Sequence, residues 1–175
     1  MIFIQFTGLS GAGKSTIAHL VKQQMENEGH RVEVIDADLY RPLLCPDLGF
    51  SKEDRMENIR RLGFVANLLA KNGIITILAA INPYESVRQE LIAQGTKVKI
   101  IWINCDIEIL IKRDTKGLYF KALLPDTHPD KIYNLTGVND VYEPPARPDL
   151  VIDTTSENIE MSVKRVVDFI EREMA

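Results

Sequence analysis

The chain has 175 residues, 45% of them hydrophobic and 26% charged, enough for one domain with a sizeable core. Its formal charge of -4, from 21 basic against 25 acidic residues, argues against a nucleic-acid binder, which shows a basic excess or stripe. It leaves room for a small anionic ligand, because a local phosphate site needs only a few donors.

The N-terminal run Met1-Ile2-Phe3-Ile4-Gln5-Phe6 is apolar but has no basic flank, and it leads straight into a glycine loop. It reads as a strand, not a signal peptide. No stretch is long and apolar enough for a membrane span, so the expected location is cytoplasmic. Cys45 and Cys105 stand far apart, match no metal or redox spacing, and read as buried free thiols.

Further apolar runs suited to buried parallel strands fall at 32–35, 74–81, 98–103 and 150–152, after a first at 2–6. Helical periodicity covers 14–28, with Ile17, Leu20, Val21 and Met25 on one face and Gly29 as the stop. Ser51 reads as the N-cap of a helix over 52–72, with Asp54 at its third position, Ile59, Leu62, Ala66 and Leu69 on one face, and Gly73 at its end. Shorter helices are expected over 84–94 and 106–113. A last one over 157–173 carries Ile159, Val163, Val166, Val167 and Ile170.

Strand–helix alternation predicts an α/β fold, a parallel sheet of about five strands with helices on both faces. Ligands in such sheets bind beyond the carboxyl ends of the strands. Residues 114–149 break the alternation and hold five of the eight prolines, as expected of a mobile lid over a single domain spanning 1–175.

Gly8-Leu9-Ser10-Gly11-Ala12-Gly13-Lys14-Ser15 fits the phosphate-loop pattern G-x-x-x-x-G-K-[ST]. Its glycines let backbone N–H groups curl around phosphate oxygens at a helix N-terminus. Lys14 then reaches the β- and γ-phosphates of ATP, and the Ser15 hydroxyl, with Thr16 beside it, meets Mg²⁺. The guanine-reading motif of a GTPase is absent. After the second strand come Asp36 and Asp38, then Arg41. Two carboxylates at i and i+2 could take the acceptor's hydroxyl proton and orient Mg²⁺; alternatively, one caps a helix starting near Leu39 and the other is solvated. In Asp47-Leu48-Gly49-Phe50-Ser51-Lys52-Glu53-Asp54-Arg55 and Glu57-Asn58-Ile59-Arg60-Arg61 the charges also fit a solvated helix face with Glu–Arg pairs. Phe50 also fits a hydrophobic staple.

These blocks, with Ile81-Asn82-Pro83-Tyr84, Arg113-Asp114-Thr115-Lys116-Gly117-Leu118-Tyr119 and Thr136-Gly137-Val138-Asn139-Asp140-Val141-Tyr142-Glu143, occur in the order and spacing of one family. From about residue 5 to residue 155 the chain resembles adenylyl-sulfate kinase. The resemblance implies a P-loop αβα sandwich that converts ATP and adenylyl sulfate to ADP and 3′-phosphoadenylyl sulfate. It assigns Asp36 and Asp38 to the acceptor hydroxyl and Mg²⁺, with Asp36 and Ser15 as metal ligands and the proton acceptor left open between the carboxylates. Arg41, Arg55 and Asn58 would hold the acceptor nucleotide, Phe50 would stack on its base, and Ile81, Asn82 and Leu135 would border it. Lys116 would close over the site with the lid, and Arg113 would meet the triphosphate. A homodimer and a functional link to a sulfate adenylyltransferase are further implications.

The chain departs from the family pattern at Ala37 and Leu39 beside the carboxylates, at Asn82 where serine is usual, and at Leu135 where a phenylalanine completes an aromatic clamp on the acceptor base. The lid stretch Phe120 to Tyr133 also differs from the usual basic version. These departures gather on the acceptor-base side. They keep open a 3′-kinase for another activated nucleotide, such as a cytidine diphosphate derivative, or a nucleotide-sensing module that transfers nothing.

Overall fold

The computed structural model describes residues 1–94 and 97–175. Strand β1 (Phe3–Thr7) is buried along its whole length, as its unbroken apolar run requires for the centre of a parallel sheet. Around it the order is β2 (Val32–Asp36), β3 (Ile75–Ala79), β1, β4 (Val98–Asn104), β5 (Leu150–Asp153), every pairing parallel.

Parallel neighbours need crossovers, and helices supply them. Ile4 and Phe6 of β1 face α1 (Lys14–Asn27) and α7 (Ile159–Met174) through Ile17, Val21, Val166 and Ile170. Phe3, on the opposite side of the pleat, faces α3 (Lys52–Lys71) and α4 (Glu85–Ala93) through Leu62, Ala66, Val87 and Leu91. The expected αβα sandwich is therefore present, with two cores separated by the sheet. Within the expected apolar faces, Leu20 and Ile159 are exposed.

Capping follows the sequence signals. Ser51 Oγ accepts from the backbone N–H of Asp54 at 3.1 Å, and Gly29 and Gly73 follow the ends of α1 and α3 with φ of 88° and 82°. Helix α2 (Ala37–Leu44) answers to the helix offered near Leu39 as one reading of the carboxylate pair, α6 (Leu118–Leu123) went unassigned in the sequence, and α5 (Ile107–Arg113) lies where expected. Residues 114–149 otherwise run as loop, held by the isolated bridge Thr136–Asp140. Cys45 and Cys105 are free and buried. Among the described residues, no helix is long and apolar enough to cross a membrane.

Candidate active site

The carboxyl ends of β1, β2 and β3 open into one cavity of about 880 Å³, roofed by residues of the 114–149 segment. Between β1 and α1 the chain must turn sharply, and Gly8 shows why: a Cβ there would lie 2.2 Å from the carbonyl oxygen of Ile103. With φ of 76° and 99° at Gly11 and Gly13, the loop wraps the N-terminus of α1, the geometry that presents N–H groups to an anion.

Lys14 is folded back inside the loop, its Nζ donating to the carbonyls of Gly8 at 2.9 Å and Leu9 at 2.7 Å. Burial, and secondly the charge of Lys116, push its pKa down to about 8, against the opposing pull of Asp38 and Asp36. The other loop residues are pinned from outside. Thr154 Oγ1, just past β5, donates to the Ala12 carbonyl at 3.0 Å, and Tyr119 Oη donates to the Ser10 carbonyl at 2.8 Å. Burial pushes the Tyr119 phenol up to about 12, with Cys105 and Asp114 adding to the shift, so it remains a donor.

Asp36 ends β2 and caps α2, its Oδ1 accepting from the Asp38 N–H at 2.9 Å. Both readings of the carboxylate pair thus meet in one geometry: Asp36 caps a helix, begun two residues before Leu39, and both carboxylates line the cavity. Asp38 is exposed and forms an ion pair with Lys116, reaching across from the roof. Phe50 also lines the cavity, 58% exposed, with the Arg41 guanidinium 4.6 Å and that of Arg55 5.5 Å from its ring centroid. Arg55 ties α3 to the roof, donating to the Asn134 carbonyl at 2.6 Å and standing 3.3 Å from the Asp140 carboxylate.

A nest of amides with a lysine, two carboxylates and an exposed aromatic face is what phosphoryl transfer to a nucleotide acceptor needs. A family model described as Adenylylsulphate kinase matches residues 1–153. The chain belongs to the adenylyl-sulfate kinase family. The adenylyl-sulfate kinase of Halothermothrix orenii is 44% identical over 173 residues, 97% of this chain and 89% of that one. The probable bifunctional SAT/APS kinase 2 of Sorangium cellulosum is 44% identical over 168 residues, 96% of this chain and 28% of that one. The solved Mycobacterium tuberculosis APS kinase CysC, in complex with AMPPNP and APS, matches with a TM-score of 0.89 at 36% identity, covering 97% of this chain and 96% of that one.

Of the residues that the phosphate-loop pattern and the adenylyl-sulfate kinase resemblance singled out, Ser10, Gly11, Gly13, Lys14, Ser15, Thr16, Asp36, Asp38, Phe50, Arg55, Ile81, Lys116 and Leu135 line this cavity. Gly8, Leu9 and Ala12 shape the loop from behind. Arg41 does not line the cavity; it holds Phe50 and donates to the Gly49 carbonyl. Asn58 and Asn82 are buried and do not line it, and Arg113 is exposed and does not line it either, donating to Cys105 Sγ at 3.9 Å. Asn82 has a structural partner instead, donating to Gln5 Oε1 at 3.1 Å. Thr115, Leu118, Ile132, Asn134 and Thr136, to which the sequence assigned no individual role, line the cavity as well, with Ala37, Ala79 and Ala80. Thr115, Leu118 and Thr136 lie inside the motifs quoted above, and Asn134 lies two residues before one.

Proposed function

We propose that this chain transfers the γ-phosphoryl group of ATP to the ribose 3′-hydroxyl of adenylyl sulfate. The observation that carries this reading is the cavity itself. The phosphate loop and the Asp36–Asp38 pair share it with the open face of Phe50 and the guanidinium of Arg55.

In the proposed reaction the acceptor's 3′-oxygen forms a bond to the γ-phosphorus, and the bond from that phosphorus to the β,γ-bridging oxygen breaks, releasing ADP. The hydroxyl proton passes to the Asp36–Asp38 pair. Such transfers have loose transition states, so the protein's share is positioning and charge. Backbone N–H groups of residues 9–15 and Lys14 hold the phosphates, and Lys116 brings a second positive charge over the transferring group. Phe50 stacks on the acceptor base and Arg55 holds its anionic groups. Ser15 and Asp36 offer a hydroxyl and a carboxylate on one cavity wall, a hard-oxygen set that fits Mg²⁺, which when bound neutralises developing phosphate charge.

Residues 114–149 act as the lid of a kinase domain spanning 1–175. Lys116 and Asp38 form an exposed pair, and such pairs are worth about 1 kcal/mol or less, so the tie that closes the roof is cheap to break. The longer Sorangium relative supports a functional link to a sulfate adenylyltransferase.

The test is ADP release from Mg-ATP with adenylyl sulfate, AMP, a cytidine diphosphate derivative or no acceptor. Strong stimulation by adenylyl sulfate, abolished in Lys14→Ala, is expected. Turnover on the cytidine compound instead would assign the Leu135 departure to a different acceptor, and turnover indifferent to acceptor would overturn the kinase reading.

A further inference from the structure

Arg88 is the largest fully buried side chain in the molecule, 1% exposed, and nothing in the chemistry above uses it. On α4 it pairs with Glu85, three residues earlier, but the pair is not a surface one and the guanidinium reaches further. Its Nε donates to Glu85 Oε2 at 2.9 Å, its Nη1 to the Asn82 carbonyl at 2.6 Å and its Nη2 to the Glu143 carbonyl at 2.6 Å. One guanidinium thus joins the turn after β3 to the C-terminal root of the 114–149 segment.

Both arms converge on Thr7, the residue before the phosphate loop. Thr7 Oγ1 lies 2.7 Å from the Ile81 carbonyl and 3.2 Å from that of Asn82. With its proton directed at those carbonyls, Thr7 Oγ1 accepts from the Tyr142 hydroxyl 3.1 Å away, and Tyr142 precedes Glu143 in the chain. The result is a closed ring: Arg88, the Asn82 carbonyl, Thr7, Tyr142, the Glu143 carbonyl and back to Arg88. Two further bonds brace it, from Glu143 N–H to the Pro83 carbonyl at 2.9 Å and from Glu85 N–H to Glu143 Oε2 at 2.7 Å. The turn it holds is not a relaxed one. Asn82 has a φ of 36°, a region that non-glycine residues rarely occupy and that persists only where the surroundings over-determine it.

We propose that Arg88 is a positioning residue for the acceptor half of the site. It fixes the turn that sets Ile81 in the cavity wall, and it anchors the root of the segment that brings Lys116, Asn134 and Leu135 over the acceptor. The ATP half is also held by contacts outside this ring, from Thr154 on the Ala12 carbonyl and the packing of Gly8 on Ile103. The inference rests on the acceptor reading given above.

Arg88→Lys keeps the buried charge but cannot span three acceptors with a planar fork. It is expected to lower kcat/KM for adenylyl sulfate roughly tenfold or more while the Kd of an ATP analogue stays within about twofold. Equal losses on both substrates, or none on the acceptor, would overturn the proposal. Tyr142→Phe removes one hydroxyl from the ring without touching the charge, and serves if Arg88→Lys fails to fold. A loss of roughly threefold in acceptor kcat/KM with unchanged ATP binding is expected, and no loss overturns the proposal. Wild-type protein runs in the same assay: if it ignores adenylyl sulfate but uses another nucleotide, the acceptor reading fails, and the variants are judged on that nucleotide instead.

Discussion

A lysine held at a pKa of about 8 changes charge within the working range of an enzyme, and Lys14 is the residue proposed to grip phosphate. Between about pH 8 and lysine's ordinary value of 10.5 the unfolded chain carries a proton there that the folded chain lacks. Stability of the ligand-free protein therefore rises with pH across that window, and below it the buried ammonium costs on the order of 3 kcal/mol. Phosphate oxygens favour the ammonium form and reverse this. Above about pH 8, ATP binding should take up a proton and its affinity should fall as pH rises. Calorimetry in two buffers of different ionisation enthalpy would read that uptake; no uptake between pH values of about 8 and 9.5 would remove Lys14 from the phosphates.

Leu135 poses the other question at this scale. Phe50 offers one open aromatic face, and Leu135 lines the same cavity without a ring. Base–aromatic stacks are worth about 1–3 kcal/mol, so Leu135→Phe should lower the Kd of adenine-bearing acceptors severalfold. Unchanged affinity would mean that the wall at 135 does not touch the base. Residues of this kind were legible because they sit beside motifs. The structural roles of Gln5, Asn82 and Arg88 were not, because the partners that define them lie far away in sequence: Gln5 pairs with Asn82, and Arg88 reaches Glu143. A polar residue inside an apolar strand, as Gln5 is, was the one available hint.

Among the elements, strands and long helices were legible from periodicity and caps, α2 only as one alternative for the Asp36–Asp38 pair, and α6 not at all. Helix α2 is short and contains Pro42, and its apolar residues Leu39 and Leu43 are exposed, so its pattern alone does not fix it. Helix α6 has six residues and begins after Gly117 in a left-handed conformation. Its free N–H groups are met from upstream, where Asp114 Oδ1 accepts from Tyr119 at 3.0 Å and Oδ2 from Phe120 at 2.8 Å. A cap displaced by three residues does not match the usual N-cap spacing. Past α6 the segment makes a second contact with the phosphate loop, at Gly137. Its φ is 88°, and a Cβ there would lie 2.6 Å from Leu9 Cδ2. Gly137→Ala should cost about 1–2 kcal/mol from the left-handed backbone alone, and more from Leu9. In a Leu9→Ala background the second part should vanish while the first remains; chemical denaturation of the four proteins would measure both. An identical cost in both backgrounds would show that the segment does not bear on Leu9.

For the whole molecule, the sheet order places the parts of the machinery on opposite sides of β1. Asp36, Asp38 and Ile81 follow β2 and β3, while Thr154, which pins the phosphate loop, follows β5. That division follows from strand–helix alternation and the rule for carboxyl ends, and so was legible in outline. What alternation could not show is that residues 114–149 leave after β4, cross over the cavity and return before β5. On the way they touch the phosphate loop through Tyr119 and Gly137, and the acceptor elements through Lys116, Asn134 and Asp140. If either nucleotide orders this strap, the first to arrive supplies the entropy of ordering it and the second binds to a surface already set. Linkage then requires each substrate to raise the other's affinity by one and the same factor.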